Sequence, residues 1–349
     1  MYEDIKSSLK SVVKTAMRCR YHRIHAIQAT RILKSIARHG TKLRDSDKKL
    51  CDEYAVDILG HKHFAPWLYV YTAISGEFKE GWIPDNYYGS IVVPKIKGDY
   101  GKVSSLKPLN AVIFQSGLFP DLLSYANGVF FDAQYRFVPI EEVASILFRY
   151  QDRVVFKLDN SLQGTGICLF TRDTFSIEKI QSLGNGLFQG FIEQHGLFAK
   201  FAKDSVATIR ITTVFQDNGE VSVRACYLRL GDANDTHVQS KSHIRVPIDL
   251  ETGAFSGVGY TPEWIEIKAH PTSKIEFAGH YIPSFRNCRD TVTELHKKVP
   301  YARCIGWDIT VDYEDKVKLI EWNAEHNDIK FSEATQGPCF ADLGWEQLQ

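Results

Sequence analysis

Long apolar runs are missing from this sequence. Nowhere in its 349 residues does a stretch approach the roughly 20 consecutive apolar residues that a membrane-spanning helix needs. The first 25 residues also lack the apolar core of a secretory leader, so a cytoplasmic protein is expected. Paired cysteines are missing as well. Cys19, Cys51, Cys168, Cys226, Cys288, Cys304 and Cys339 are odd in number and scattered, with no Cys-x-x-Cys spacing. That pattern predicts reduced thiols and argues against a disulfide framework or a zinc site. Net charge is zero, and no nucleic-acid partner is expected. Internal repeats and low-complexity tracts are absent too. What remains, 44% hydrophobic and 24% charged, is a globular composition able to bury a sizeable core in two or three lobes.

The balanced charge hides an asymmetry. Residues 1–44 hold eleven Lys or Arg against only Glu3 and Asp4, and the rest of the chain carries the compensating negative surplus. A basic start reads either as a solvated helix face or as a peripheral contact with an anionic membrane or a charged glycan. Ile5, Leu9, Val12, Val13, Ala16 and Met17 recur at helical spacing, which predicts that this segment packs. Leu50, Tyr54 and Ile58 repeat the spacing before Gly60, so the first 60 residues are expected to be helical.

From Trp82 the texture changes to Pro84, Gly89, Pro94, Gly98, Gly101 and Pro108 around the short apolar run Ile91-Val92-Val93, which predicts loops around a small sheet. A helix over Glu141–Tyr150 leads into a strand at Val154. Beyond it the pattern is antiparallel. Thr208–Phe215 joins Val221–Leu230 through Asp217-Asn218-Gly219, Ile244–Leu250 turns at Glu251-Thr252-Gly253, and Ile305–Val311 returns through Tyr313-Glu314-Asp315 into Val317–Trp322. The expected class is α+β, with a helical region over 1–80, a small domain over 81–150 and a main region over 151–349.

Two constellations carry chemistry. The run Val154-Val155-Phe156-Lys157-Leu158 reads as a buried strand, and an ammonium there needs a carboxylate or a bound anion. The loop that follows, Asp159 to Gly166 with Gly164 and Gly166, either closes backbone N–H groups over phosphate or is a plain hairpin turn with Lys157 reaching solvent. Near the C-terminus, strand period two places Glu321 and Asn323 on one face. A two-residue turn at Glu314-Asp315 would pair Tyr313 with Lys316 and set Asp308 opposite Glu321. Opposed carboxylates repel, so one is protonated or a cation sits between them, and such oxygen ligands suit Mg²⁺. The alternative is a register slip that separates the acids on a solvated edge.

The order of these pieces resembles the ATP-grasp superfamily. More narrowly, Ile83-Pro84-Asp85-Asn86-Tyr87-Tyr88, Phe191-Ile192-Glu193-Gln194-His195, Ser205 to Thr213 with its Thr-Ile-Arg-Ile-Thr core, and Gly306-Trp307-Asp308 are similar to the sugar-transfer-associated ATP-grasp family of polysaccharide biosynthesis, over about residues 80–340. The resemblance implies two α+β subdomains, about 105–190 and 191–349, gripping ATP between antiparallel sheets. It places Lys107 and Lys157 on ATP phosphates and Gln163, Gly164, Thr165 and Gly166 in a lid over them. Gln189 belongs to the segment joining the subdomains, with backbone near Phe191 and Ile192 meeting adenine and Glu193 holding ribose hydroxyls. Arg210, with Lys157 and Arg229, forms the candidate catalytic set, and Asp308, Glu321 and Asn323 match the Mg²⁺ ligands. The sequence departs from the family at Gly190, where many relatives have Glu, at Leu158-Asp159, at Trp322, and over 232–245.

The activity so implied is an ATP- and Mg²⁺-dependent carboxylate–amine ligase working through an acyl phosphate, with a sugar acid or amino acid unit of a surface polysaccharide as the carboxylate and a separate amine. A kinase acting on a hydroxyl and a non-catalytic nucleotide-binding protein are the alternatives. Lys241, His243 and Arg245 alternate on an expected strand and either hold a carboxylate or form an exposed edge. His22, His25, His61 and His63 come in pairs without an acid cluster and read as surface or core histidines. Trp67, Trp82 and Trp264 either stack on sugar rings or pack.

Overall fold

The helical beginning is present as α1 (Tyr2–Arg38), α2 (Asp45–Glu53) and α3 (Ala65–Ser75). They belong to a computed structural model that describes residues 2–159, 166–203, 205–231 and 243–348, with side chains described from residue 12 onward. The chain divides into two compact units, one of residues 1–95, 263–265 and 328–349, the other of residues 96–262 and 266–327.

In the first unit α3 buries Trp67, Leu68, Val70 and Tyr71. Trp67, Trp82 and Trp264 are all buried, so they pack rather than offer faces to a sugar. Of the residues expected to pack along the start of α1, Val12, Val13 and Met17 lie exposed, whereas the side chains of Ile5 and Leu9 lie outside the described residues. His22 stacks on His63 with ring centroids 3.7 Å apart, and His63 on His61 at 3.8 Å. Burial pushes the His22 imidazole down to about 4 and that of His63 to about 3, so these two rings stand neutral at neutral pH.

The segment after Trp82 is helical rather than a small sheet. Ile91, Val92 and Val93 fall within the consecutive helical turns Tyr88–Val92 and Val93–Ile96. A three-residue apolar run has no period of its own, and here burial of Tyr87, Tyr88 and Val92 decides for helix. The helix Lys330–Gln336 clasps this stretch through Glu333, whose carboxylate accepts from Ile83 N and Cys339 N, both at 2.7 Å, while its backbone carbonyl accepts from Trp82 Nε1 at 2.8 Å.

The second unit holds two antiparallel sheets, as the α+β reading expects. Five strands, β1 (Asp121–Ala126), β2 (Val129–Asp132), β3 (Arg153–Leu158), β4 (Ile167–Thr171) and β5 (Gly186–Gly190), run in the order β2-β1-β5-β3-β4. One face packs Leu123, Phe130, Val154, Phe156, Phe170 and Phe188 against Val143 and Leu147 of the helix Ile140–Leu147. Seven strands form the second sheet: β6 (Thr208–Phe215), β7 (Val221–Leu230), β8 (Ile244–Pro247), β9 (Gly259–Tyr260), β10 (Glu266–Ile267), β11 (Cys304–Val311) and β12 (Val317–Asn323). Their order is β10-β9-β8-β7-β6-β11-β12. Alternate residues Ile209, Ile211, Leu228, Leu230, Trp307 and Ile309 join the core that also holds Cys288, Val292 and Leu295 of the helix Phe285–Lys297. That leaves the opposite face of the sheet for polar side chains. No two of the seven cysteines are bridged.

Replacing Glu333 with Ala strands two buried N–H donors. Denaturant unfolding of Glu333→Ala is expected to show a loss of about 2–6 kcal/mol, counting roughly 1–3 for each orphaned group; a loss under about 0.5 kcal/mol, within the range of an ordinary surface substitution, would contradict this role.

Candidate functional site

A break in strand periodicity builds the site. Along β12, Val317 and Leu319 join the apolar core, and strict alternation would send Glu321 after them. The hairpin avoids this with a β-bulge. Val311, Thr310 and Ile309 pair with Val317, Lys318 and Leu319, but Asp308, Trp307 and Gly306 pair with Glu321, Trp322 and Asn323, so Ile320 is the extra residue. The loop is also one residue longer than expected, with Asp312 N donating to Lys316 O at 2.9 Å and Asp315 at a φ of 62°. The longer loop and the bulge offset one another, and Asp308 lies opposite Glu321 by a route that the two-residue turn did not foresee. Trp322 turns into the core, and Glu321 and Asn323 face the polar side.

Pairing extends this row across the sheet from Glu321 through Asp308 and Arg210 to Tyr227. Arg210 grips Asp308 with both prongs, Nε to Oδ1 at 2.7 Å and Nη2 to Oδ2 at 2.8 Å, and its Nη1 donates to Asn327 O at 2.9 Å. Burial alone would raise the Asp308 pKa. The charges of Arg210 and Arg229, with hydrogen bonds from Arg210 and Asn323, instead hold it at about 2. The cation facing Asp308 is therefore a guanidinium of the same sheet. Gly306 is required because Arg210 lies across it: a Cβ there would stand 2.9 Å from Asn327 Cβ and 3.0 Å from Arg210 Nη1. Lys97, buried and pushed down to about 8 by that burial, donates to Asn327 Oδ1 at 2.9 Å and so props the residue that props Arg210.

From the other sheet comes Lys157. Its Nζ donates to the carbonyl of Ile320 at 3.0 Å, a group of the bulge residue itself. Burial lowers the Lys157 pKa, against the opposing pull of Glu321 and Asp121. Lys107 Nζ stands 3.6 Å from Glu321 Oε1. Thus Lys107, Lys157, Arg210, Asp308, Glu321 and Asn323 are brought together. Asp121, which the sequence reading missed, sits opposite Gln189, accepts from its Nε2 at 2.7 Å and is raised by burial to about 6. A lone Asp at a strand start carries no sequence signal, whereas Asn327, four residues after Asn323, extends an already suspect segment.

The segment leaving β5 is shaped by a side chain from outside it. Gln151 Oε1 accepts from Phe191 N at 3.3 Å, and a Cβ on Gly190 would stand 3.0 Å from that oxygen, so glycine makes room for the amide. The Arg153 guanidinium covers the Phe191 ring, 3.6 Å from its centroid. Glu193 is exposed. Gln194 staples the loop beyond it, donating to Ala202 O at 2.7 Å and accepting from Ala207 N at 2.8 Å, and His195 Nδ1 caps the helix Gly196–Phe201 through Leu197 N at 3.1 Å.

On the row next to Arg210, Arg229 pairs directly with Arg245. Arg229 reaches Asp308 at 3.5 Å and the Tyr227 hydroxyl at 3.2 Å, while its buried Nε has no hydrogen-bond partner among the described residues. His243 and Arg245 are buried and β8 lies between β7 and β9, so they are not an exposed edge. Gly166 O accepts from Leu158 N at 2.9 Å and closes the hairpin. Gln163, Gly164, Thr165 and Lys241 lie outside the described residues.

A divalent cation has donors here, although no group of three or more His, Cys, Asp or Glu residues suited to a metal occurs among the described residues. Asn323 uses its Nδ2 on Asp308 Oδ2 at 3.2 Å and on Gly306 O at 3.3 Å, which leaves its Oδ1 without a protein hydrogen bond among them. Glu321 is a third exposed, and among the described residues its carboxylate forms an ion pair with Lys107. Glu321 and the Asn323 amide oxygen are open donors of the kind that suits Mg²⁺, beside Asp308, whose two oxygens already accept from Arg210.

The family model described as sugar-transfer associated ATP-grasp matches residues 160–342, just over half of the chain. Solved structures with a similar fold include the ATP-grasp ligase PsnB with a phosphomimetic variant of its minimal precursor, Mg and ADP, at 12% identity and a TM-score of 0.42, over 73% of this chain and 62% of that one. Another is the biotin carboxylase domain of the Hydrogenobacter thermophilus 2-oxoglutarate carboxylase with MgADP, ADP and bicarbonate, at 12% and 0.37, over 64% and 40%. A third is the N5-carboxyaminoimidazole synthetase of Staphylococcus aureus with ADP, at 10% and 0.38, over 68% and 49%. The chain thus spans less than two thirds of each of these, and likenesses this distant carry no argument about activity. A comparison with curated proteins gives no match.

Asp121 provides a pH test. Its folded pKa lies above the unfolded value of 3.8, so its contribution to stability is fully present below 3.8 and is lost as pH rises through about 6. Asp121→Asn keeps the Gln189 bond and removes the titration. Relative to wild type it is expected to gain on the order of 2–3 kcal/mol between pH 4 and pH 7, read by denaturant unfolding at both; parallel pH profiles would refute the assignment.

Proposed function

Because the chain belongs to the sugar-transfer associated ATP-grasp family, we propose that it is an ATP- and Mg²⁺-dependent carboxylate–amine ligase that works through an acyl phosphate. The supporting observation is the meeting of two lysines from one side with two carboxylates and an amide from the other, around the Ile320 bulge. Opposite charges held apart on two rigid sheets are what a metal–triphosphate complex needs.

Each residue has a role in this reading. Lys157 spends one N–H on Ile320 O and keeps two for phosphate oxygens, and Lys107 supplies a second ammonium beside Glu321. Asp308, Glu321 and Asn323 would hold Mg²⁺, which when bound supplies positive charge against phosphate oxygens. Arg210, with its fork on Asp308 and Asn327, fixes that carboxylate and contributes its charge, while Arg229 offers its unpaired Nε to the substrate carboxylate. The Gln163–Gly166 segment is proposed as the lid. Gln189, Phe191, Ile192 and Glu193 line the nucleotide, with Gln151 yielding the Phe191 N–H to the base. A substrate carboxylate oxygen attacks the γ-phosphorus, and the bond to ADP breaks with its electron pair leaving on ADP. An amine then attacks the acyl carbon, phosphate departs, and the amine proton passes to solvent. The carboxylate is proposed to be a sugar acid or amino acid unit of a surface polysaccharide, in keeping with the family's description.

Calorimetry with MgATP tests the nucleotide site. Wild type is expected to bind in the micromolar range, with Lys157→Ala and Glu321→Ala weakened by about tenfold or more, a loss of at least 1.4 kcal/mol each. No binding by folded wild type would leave a likeness of shape only. Screening uronic and amino acids with hydroxylamine as the amine is expected to give hydroxamate and phosphate together. Stable phosphorylation of a hydroxyl with no need for an amine would make the enzyme a kinase instead.

A further inference from the structure

Helix α1 presents apolar residues on two opposite sides. At 3.6 residues per turn His22, Ala29 and Ile36 share one side, and these are the residues it buries. Val13, Met17, Ile24 and Ile27 fall within a sector of about 80° on the other side. They are 54%, 68%, 45% and 59% exposed, far more than scattered surface apolar residues require. Arg20 and Arg31 lie within the same sector, with Arg23 and Lys34 on its flank, and no Asp or Glu occurs from Ile5 to Arg44.

Three kinds of occupant can be weighed on charge and polarity. A soluble polyanion accounts for the arginines but gives no reason to expose Val13, Met17, Ile24 and Ile27. A second copy of the chain would cover the apolar stripe but would bring like-charged arginines face to face with no acid between Ile5 and Arg38 to offset them. An anionic bilayer surface accounts for both, since apolar side chains enter the acyl boundary while Arg side chains reach the headgroups. We propose that the outward face of α1, from Val13 to Arg31, is a docking surface for an anionic lipid bilayer, on which the helix lies in the plane. The stripe is about 27 Å long, and no described helix is long and apolar enough to cross a membrane, which suits surface attachment.

The full chain is sedimented with vesicles of phosphatidylcholine, with and without phosphatidylglycerol. Wild type is expected to follow only the anionic vesicles, and less so as salt rises. Met17→Ser with Ile24→Ser and Ile27→Ser is expected to weaken partition by about tenfold or more while the melting curve stays unchanged, the side chains being exposed. Arg20→Gln with Arg31→Gln is expected to weaken it and flatten the salt dependence. Absence of vesicle binding, or binding indifferent to the serine changes, overturns the proposal. A dimer in light scattering that the serine changes dissociate would assign the stripe to a second copy. Retention on an acidic polysaccharide that ignores them, without vesicle binding, would assign it to a soluble polyanion. None of these outcomes depends on nucleotide binding.

Discussion

The pairing of Arg210 with Asp308 is the interaction around which the second unit is organised. Both groups are buried on interior strands of a seven-stranded sheet, where separate charges would each cost several kcal/mol. The arrangement is sustainable because the planar fork meets both carboxylate oxygens and a third donor finds the Asn327 carbonyl. Much else follows from holding it in place. Position 306 has no room for a side chain, Asn327 needs a prop, and Lys97 is drawn out of water to provide one. Removing either member would leave a buried charge unanswered, so the pair has to be read as structure before it is read as chemistry.

The two sheets of that unit divide the labour by charge. The five-stranded sheet and the turn before it present Lys157 and Lys107, and the seven-stranded sheet presents Asp308, Glu321 and Asn323. Asp308 is answered on its own sheet by Arg210, and the lysines settle on what the other sheet offers, a carbonyl oxygen in one case and the Glu321 carboxylate in the other. A ligand carrying both metal and phosphate could take over both sets of contacts at once.

Much of this was legible in the sequence where local rules suffice. The hairpin of β6 and β7 falls on the expected residues because Asn218-Gly219 fixes the turn and alternation fixes the strands. Lys157 stood out as a cation in an apolar strand. The opposition of Asp308 and Glu321 was anticipated, yet from the wrong loop, and only the consecutive apolar pair Leu319-Ile320 hinted that alternation breaks there. The helical turns around Ile91 were misread because Pro and Gly nearby suggested loops while burial of aromatic neighbours dictated otherwise. Lys97, Gln151 and Asp121 gain their meaning from contacts far along the chain, and nothing in their immediate surroundings announces it. The exposure of Met17 went against its helical spacing, because periodicity marks a face without saying what will cover it.

The bulge at Ile320 has a consequence for how this hairpin can vary. On a regular strand the face a residue occupies is set by counting in twos from any neighbour, so inserting or losing a residue far away is silent only in even numbers. Here the count is reset once, between the part of β12 that fills the core and the part that faces the site. The acidic end of the hairpin thereby depends on loop and bulge together: with the tip at Tyr313–Asp315 one residue longer than a two-residue turn, the single unpaired residue is what returns Glu321 and Asn323 to phase with Asp308.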